Sequence, residues 1–248
     1  YMFIGVIGYT YAVGLASIWL MIGWILGDFL ASLFIHKKLH IATAKTGEAS
    51  YSGVLATWSG GNMLAWRRIA AVLTLVFLGA YAAAQISAGS KALAGVLNWD
   101  RTVGAWLVAL MVLSYSVAGG IRASIWTDVA QSVVMLAAMS ILVFSGVMAV
   151  GGVADVMQAW QAIPGYFDLA PPGLALPGLM GILLFFIGWL VAGLSVIGQP
   201  HIMIRFMALK DADSIKSARI YYYAFFILFY ALATVAGMLA RLHLPELK

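Results

Sequence analysis

The sequence predicts an all-α polytopic membrane protein. Three observations carry this. Of 248 residues, 64% are hydrophobic and only 9% charged, with a mean hydropathy of +0.99, a composition that soluble domains do not have. Apolar runs long enough to cross a bilayer recur along the chain, separated by short basic loops. One of those runs, Phe185 to Phe206, is interrupted by Gly188, Gly193, Gly198 and Pro200, with Gln199 and His201 beside the proline.

Residues 1–35 are almost continuously apolar. As one helix they would be about 52 Å long, against a hydrocarbon core of about 30 Å, so they must divide. The cluster Tyr9, Thr10, Tyr11 and Gly14 marks the turn. Residues 1 to about 10 then read as the tail of a span, and the next span covers 15–35. Within it Asp28 is an intramembrane acid, a residue type that is costly in lipid and faces a cavity or a partner. An acid reached by water near the inner mouth of the span, without a specific role, is the plainer alternative. His36, Lys37, Lys38 and His40 end the span, and the two histidines read as an interfacial pair rather than a metal site.

The segment 41–66 is more polar, with a short interfacial helix expected at Tyr51–Trp58 and a turn at Gly60-Gly61-Asn62. A third span, 69–96, places Tyr81 and Gln85 four apart on one face among small residues. That pair serves either helix packing or a ligand. After Asn98-Trp99-Asp100-Arg101, a fourth span (103–118) ends at Gly119-Gly120, a turn follows, and a fifth span (129–150) starts behind Thr127-Asp128. Asp128 also suits the first turn of a helix, where an acid complements the dipole. Residues 151–176 read as a loop, given Pro164, Gly165, Pro171 and Pro172.

The sixth span, 177–200, should kink or break near Pro200, because proline removes a donor and clashes with the preceding turn. Backbone freed at membrane depth is tolerated only where protein or a water-lined cavity satisfies it. Broken helices therefore point to transport sites. A seventh span, 220–240, opens on Tyr221-Tyr222-Tyr223, read as an interfacial belt.

Ten of the 14 Lys and Arg residues fall in the loops 36–68, 119–128 and 201–219, which places those loops in the cytoplasm. The net charge of +5 is thus topological and does not indicate a nucleic-acid partner. There is no cysteine, HExxH, Walker A or GxSxG sequence, and the four histidines lack metal-ligand spacing. An enzyme and a resident cofactor are not expected. The apolar start at Tyr1, without a charged leader, reads as a piece of a longer protein.

Two stretches carry a resemblance. Gly119-Gly120, followed by Trp126-Thr127-Asp128 and Gln131, resembles the GG…WTDxxQ signature of the sodium:solute symporter family. Gly198-Gln199-Pro200-His201, followed by Arg205-Phe206-Met207-Ala208, resembles a stretch of its sodium/proline symporter branch. The resemblance implies a LeuT-type fold of two inverted five-helix repeats, here partial, with about six full transmembrane helices and a half helix. Residues 1–150 would be the first repeat less half of its first helix, and 177–240 the start of the second. The interrupted span would be the broken first helix of that second repeat.

The resemblance further implies sodium-coupled symport of a small organic solute, proline or another amino acid, in a multi-pass inner (plasma) membrane protein. Its partners would be solute, sodium as coupling ion and the bilayer. Asp128 and Thr127 would belong to the sodium pathway, and Tyr81, Gln85, Trp189, Ser195, Gln199 and Pro200 to the solute site. Part of the sodium site would come from helices before residue 1 and after residue 248. Proline symporters carry a Trp eight residues and a Tyr four residues before the proline. This chain has Ala192 and Val196 there, with its tryptophan at Trp189. A transporter-like sensor domain of a histidine kinase is the alternative.

Overall fold

The computed structural model describes residues 5–58, 60–61 and 63–245. Asn62 of the expected Gly60-Gly61-Asn62 turn, the first four residues of the expected half span, and Lys248 lie outside them. The described residues contain helices and no strand. Five helical stretches are long and apolar enough to cross a membrane. The chain divides into two compact bodies, one from residues up to His40 together with Val133 onward, the other Ile41–Ser132.

The first body is organised around α9 (Ser214–His243). The division expected near residue 14 is present. α1 (Ile7–Val13) ends at Gly14, a single turn of 3-10 helix covers Gly14–Ser17, and α2 (Ile18–Thr46) follows. Gly14 has φ +66°, and a Cβ there would collide with Tyr166, so only glycine makes this turn. The turn reverses the chain. Tyr11 reaches Leu244 and α1 backs onto Gly237, which runs α1 parallel to α9. Arg219 donates to the Ser32 carbonyl at 2.9 Å and Phe29 meets Tyr223 edge-on, which runs α2 antiparallel to it. Thr10 donates to Ser17 at 3.0 Å across the hairpin. The core between these helices is aromatic, with Phe226, Phe229 and Tyr230 against Leu20 and Met139.

The segment expected to be a loop contains a helix. α6 (Val153–Gln161) is amphipathic, and Val156 and Trp160, one turn apart, pack on Met238 and Leu239 at the end of α9. Trp160 Nε1 donates to the Met238 carbonyl at 2.9 Å. The chain then turns so that the Tyr166 carbonyl accepts from Leu15 N at 2.9 Å. Four helix-hostile residues downstream masked a helix that ends before them.

The interrupted span consists of α7 (Gly178–Leu194), a 3-10 turn at Ser195–Gly198, extended Gln199 (φ −101°, ψ 101°) and α8 (Pro200–Met207). The helix breaks near Pro200, as expected, over the five residues before it. Proline forces the residue before it out of the helical region and itself suits the first position of a new helix. Pro200 therefore opens α8 and does not kink α7.

In the second body, Ser50 caps α3 (Tyr51–Thr57) by accepting from Gly53 N at 3.1 Å, close to the expected short helix. Arg67 at the start of α4 (Leu64–Leu97) holds Glu48 with two 3.0 Å bonds. Asn98, in the left-handed region, reverses the chain into α5 (Arg101–Val150). The reversal expected at 119–128 is absent as a turn, and only Gly120 (φ 53°, ψ −143°) departs from helical geometry. Residues 121–128 contain neither proline nor glycine, so the helix resumes at once. Most of α4 and the first part of α5 expose large apolar side chains, among them Leu75, Phe77 and Val117. Such a surface suits lipid or neighbouring helices, not water.

Candidate functional site at the interrupted helix

The interruption is held from one side by α2. Gly23 and Gly27, one turn apart, let its backbone touch that of α7. A Cβ on Gly23 would come within 2.8 Å of the Trp189 Cβ, and one on Gly27 within 2.8 Å of Leu194 N and closer still to the Leu190 carbonyl. Gly193 answers from α7, where an added Cβ would overlap the Trp24 carbonyl and stand 2.9 Å from Asp28 N. Small residues four apart allow this close approach between membrane helices. The crossing sets Asp28 beside the last turn of α7, immediately before the helix opens.

Inside the opening, the Ser195 hydroxyl donates to the Ala192 carbonyl at 2.6 Å. Gln199 N donates to the Val196 carbonyl at 3.0 Å, and the Gln199 carbonyl accepts from Ile202 N and Met203 N, starting α8. The N-terminal end of α8, with its positive dipole end, therefore faces the interruption. Trp189 lies one turn before Gly193 and packs on Trp24, 6.1 Å between centroids, and on Phe185. Its ring thus serves the crossing of α2 with α7.

Of the residues expected at a site, Trp189, Ser195, Gln199, Pro200 and Asp28 fall together in the first body. Tyr81, Gln85, Thr127 and Asp128 belong to the second. There Tyr81 is 48% exposed on α4, and Thr127 returns its hydroxyl to the Ala123 and Ser124 carbonyls of its own helix. Ser132 donates to the Asp128 carbonyl at 2.7 Å. No group of three or more potential metal-ligating side chains occurs among the described residues.

Three features were not read from the sequence. Asp28, Ser32 and His36 repeat every fourth residue on α2 and all are buried. Tyr222 and Tyr223, expected at an interface, face Asp28 from α9, and only Tyr221 is exposed. His36 and His40, expected as an interfacial pair, both grip α8. His36 stacks on Phe206 at 3.6 Å and His40 Nδ1 lies 3.2 Å from the Phe206 carbonyl. The four-residue spacing was visible in sequence, but the partners come from 166 or more residues away.

The chain is 29% identical over 221 residues to the high-affinity proline transporter PutP of Bacillus subtilis, covering 88% of this chain and 45% of that protein. It is 27% identical over 221 residues to the osmoregulated proline transporter OpuE of the same organism, covering 88% of the chain and 43% of the relative. It is 29% identical over 223 residues to a sodium/proline symporter of Staphylococcus aureus, covering 88% and 41%. The chain thus spans less than half the length of these relatives. No solved structure matches it. The model of the sodium:solute symporter family matches residues 1–244, and the chain belongs to that family.

Proposed function

We propose that the protein carrying this chain is a sodium-coupled symporter of a small organic solute, proline or another amino acid, in the plasma membrane. The observation that carries the reading is the interruption of a membrane-length helix at Ser195–Gln199. The positive end of α8 suits the carboxylate of an amino acid, and unwound backbone suits sodium. Trp189, Ser195, Gln199 and Pro200 would contribute to the solute site; Tyr81 and Gln85 on α4 are assigned to solute binding by the family resemblance alone. Thr127 and Asp128 would serve the sodium pathway. A LeuT-type arrangement, with 1–150 from a first repeat and 177–240 from a second, accommodates these roles.

Sodium running down its gradient would favour the substrate-binding state, and joint occupancy would permit passage inward without covalent chemistry. The transporter names of the relatives favour symport over the sensor reading and over an enzyme. Ala192 and Val196 stand where proline symporters carry aromatic residues, in the half of the helix that the resemblance would turn to the solute, so a solute other than proline fits as well. The test is uptake by the intact protein in proteoliposomes. Proline or a related amino acid should accumulate only with an inward sodium gradient. Failure of every such solute to accumulate refutes the reading.

A further inference from the structure

The polar seam between α2 and α9 is not explained by the solute site. Asp28 is 1% exposed, Ser32 is fully buried and His36 is 1% exposed, in a helix that otherwise reads as a membrane span. The hydroxyls of Tyr222 and Tyr223 face the carboxyl. Even so, Asp28 Oδ2, the Tyr223 hydroxyl, the Arg219 Nε and both His36 nitrogens make no hydrogen bond to any described residue. Buried polar groups are almost always satisfied, so a run of orphans on one seam calls for a ligand.

The charges identify that ligand. No ion pair to Asp28 occurs among the described residues. Arg219, the nearest cation on α9, spends its Nη2 on the Ser32 carbonyl at 2.9 Å, one turn away along α2. α7 contributes only Gly193 and apolar neighbours such as Leu190 and Leu194. α8 offers the Phe206 ring against His36, with Arg205 and His201 on the same short helix. An unpaired carboxylate in such surroundings costs several kcal/mol, and the least costly partner is a proton. The two phenol hydroxyls can donate to a carboxylate or accept from a neutral carboxyl, so they serve both the loaded and the unloaded acid. A metal cation is opposed instead by the Arg219 guanidinium held at the Ser32 carbonyl, and the Ser32 hydroxyl is already spent on the Phe29 carbonyl.

We propose that Asp28 is a proton-binding site, loaded from water at the His36 end of α2. The step is a simple transfer. A proton leaves water at that end, passes along the Asp28–Ser32–His36 seam and forms an O–H bond on the Asp28 carboxylate. The reverse step returns it. Asp28 N abuts Gly193, so a proton held there changes the field within one helical turn of the interruption.

The inference does not depend on which solute is carried, or on transport at all. Its test is infrared spectroscopy of the intact protein in membranes at about pH 7, where solvated carboxyls are ionised. The C=O stretch of a protonated carboxyl should be present in the wild type and absent in Asp28→Asn. In Asp28→Glu, which keeps the acid if the amide variant fails to fold, the band should move in frequency. A wild-type spectrum without that band, or one unchanged by both substitutions, overturns the proposal.

Discussion

The contact of α2 with α7 predicts an asymmetry between two glycines that sequence alone does not distinguish. Gly27 on α2 and Gly188 on α7 both sit in helices, where alanine is ordinarily favoured by about 0.5–1 kcal/mol. At Gly188 a Cβ meets nothing within 4 Å, so Gly188→Ala should leave stability unchanged or raise it by that amount. At Gly27 the same atom would overlap the Leu190 carbonyl and stand 2.8 Å from Leu194 N, both backbone atoms that cannot rotate aside. The helices would have to separate, and overpacking of this kind costs about 1–3 kcal/mol. The propensity gain is common to both, so the two variants should differ by the overpacking cost alone, about 1–3 kcal/mol. Thermal unfolding of the intact protein in detergent reads this as a lower midpoint for the Gly27 variant than for the Gly188 variant. Gly193→Ala should behave as Gly27→Ala does. Equal midpoints for the Gly27 and Gly188 variants would refute the close crossing and, with it, the placement of Asp28 beside the interruption.

Other predictions follow from separate parts of the chain. Trp160→Phe keeps the ring but loses the bond to the Met238 carbonyl, and should cost about 1 kcal/mol in the same unfolding assay. Burial pushes the Tyr166 phenol up to about 12 against the pull of Arg241, above its ordinary value near 10. The folded chain thus holds this proton more tightly than the unfolded one, so stability should fall as pH rises from about 10 to about 12, and Tyr166→Phe should flatten that fall. Asp211 accepts from the Ser214 hydroxyl and backbone N–H, which hold its carboxyl below the usual carboxylate range. That support is present above the ordinary carboxylate value and lost as pH drops through the lowered one. Hydrogen exchange in the first turn of α9 should accordingly speed up in acid, and Asp211→Ala should show the fast rate at neutral pH.

What the sequence made legible follows the range of the forces involved. The hairpin at Gly14 was readable because bilayer thickness forbids a single 35-residue span, and glycine marks the only cheap reversal. The interruption of the sixth span and its place near Pro200 were readable, but not whether the proline kinks one helix or opens another. Proline's local rule is to open a helix as readily as to break one, and only the backbone of Ser195–Gln199 shows which. α6 was hidden because two packing residues, Val156 and Trp160, give little periodic signal until Met238 and Leu239 are known to lie opposite. The inward turn of Tyr222 and Tyr223 depends on Asp28, about 190 residues earlier, and aromatic clusters at span ends usually mean an interface. At Gly119-Gly120 the glycine pair suggested a full turn, yet one residue carries the whole departure from helix.

The chain contains no cysteine, so a single reporter can be placed at the interruption itself. Ser195→Cys, in the intact protein with any cysteines outside this chain removed, puts a thiol where α7 opens. Its rate of modification by a water-soluble maleimide, measured in membranes, tests most directly whether solute and sodium meet at this break. Sodium together with the transported amino acid should slow labelling several-fold, and either alone should slow it less. A labelling rate unchanged by sodium, by the amino acid and by both together would contradict the account.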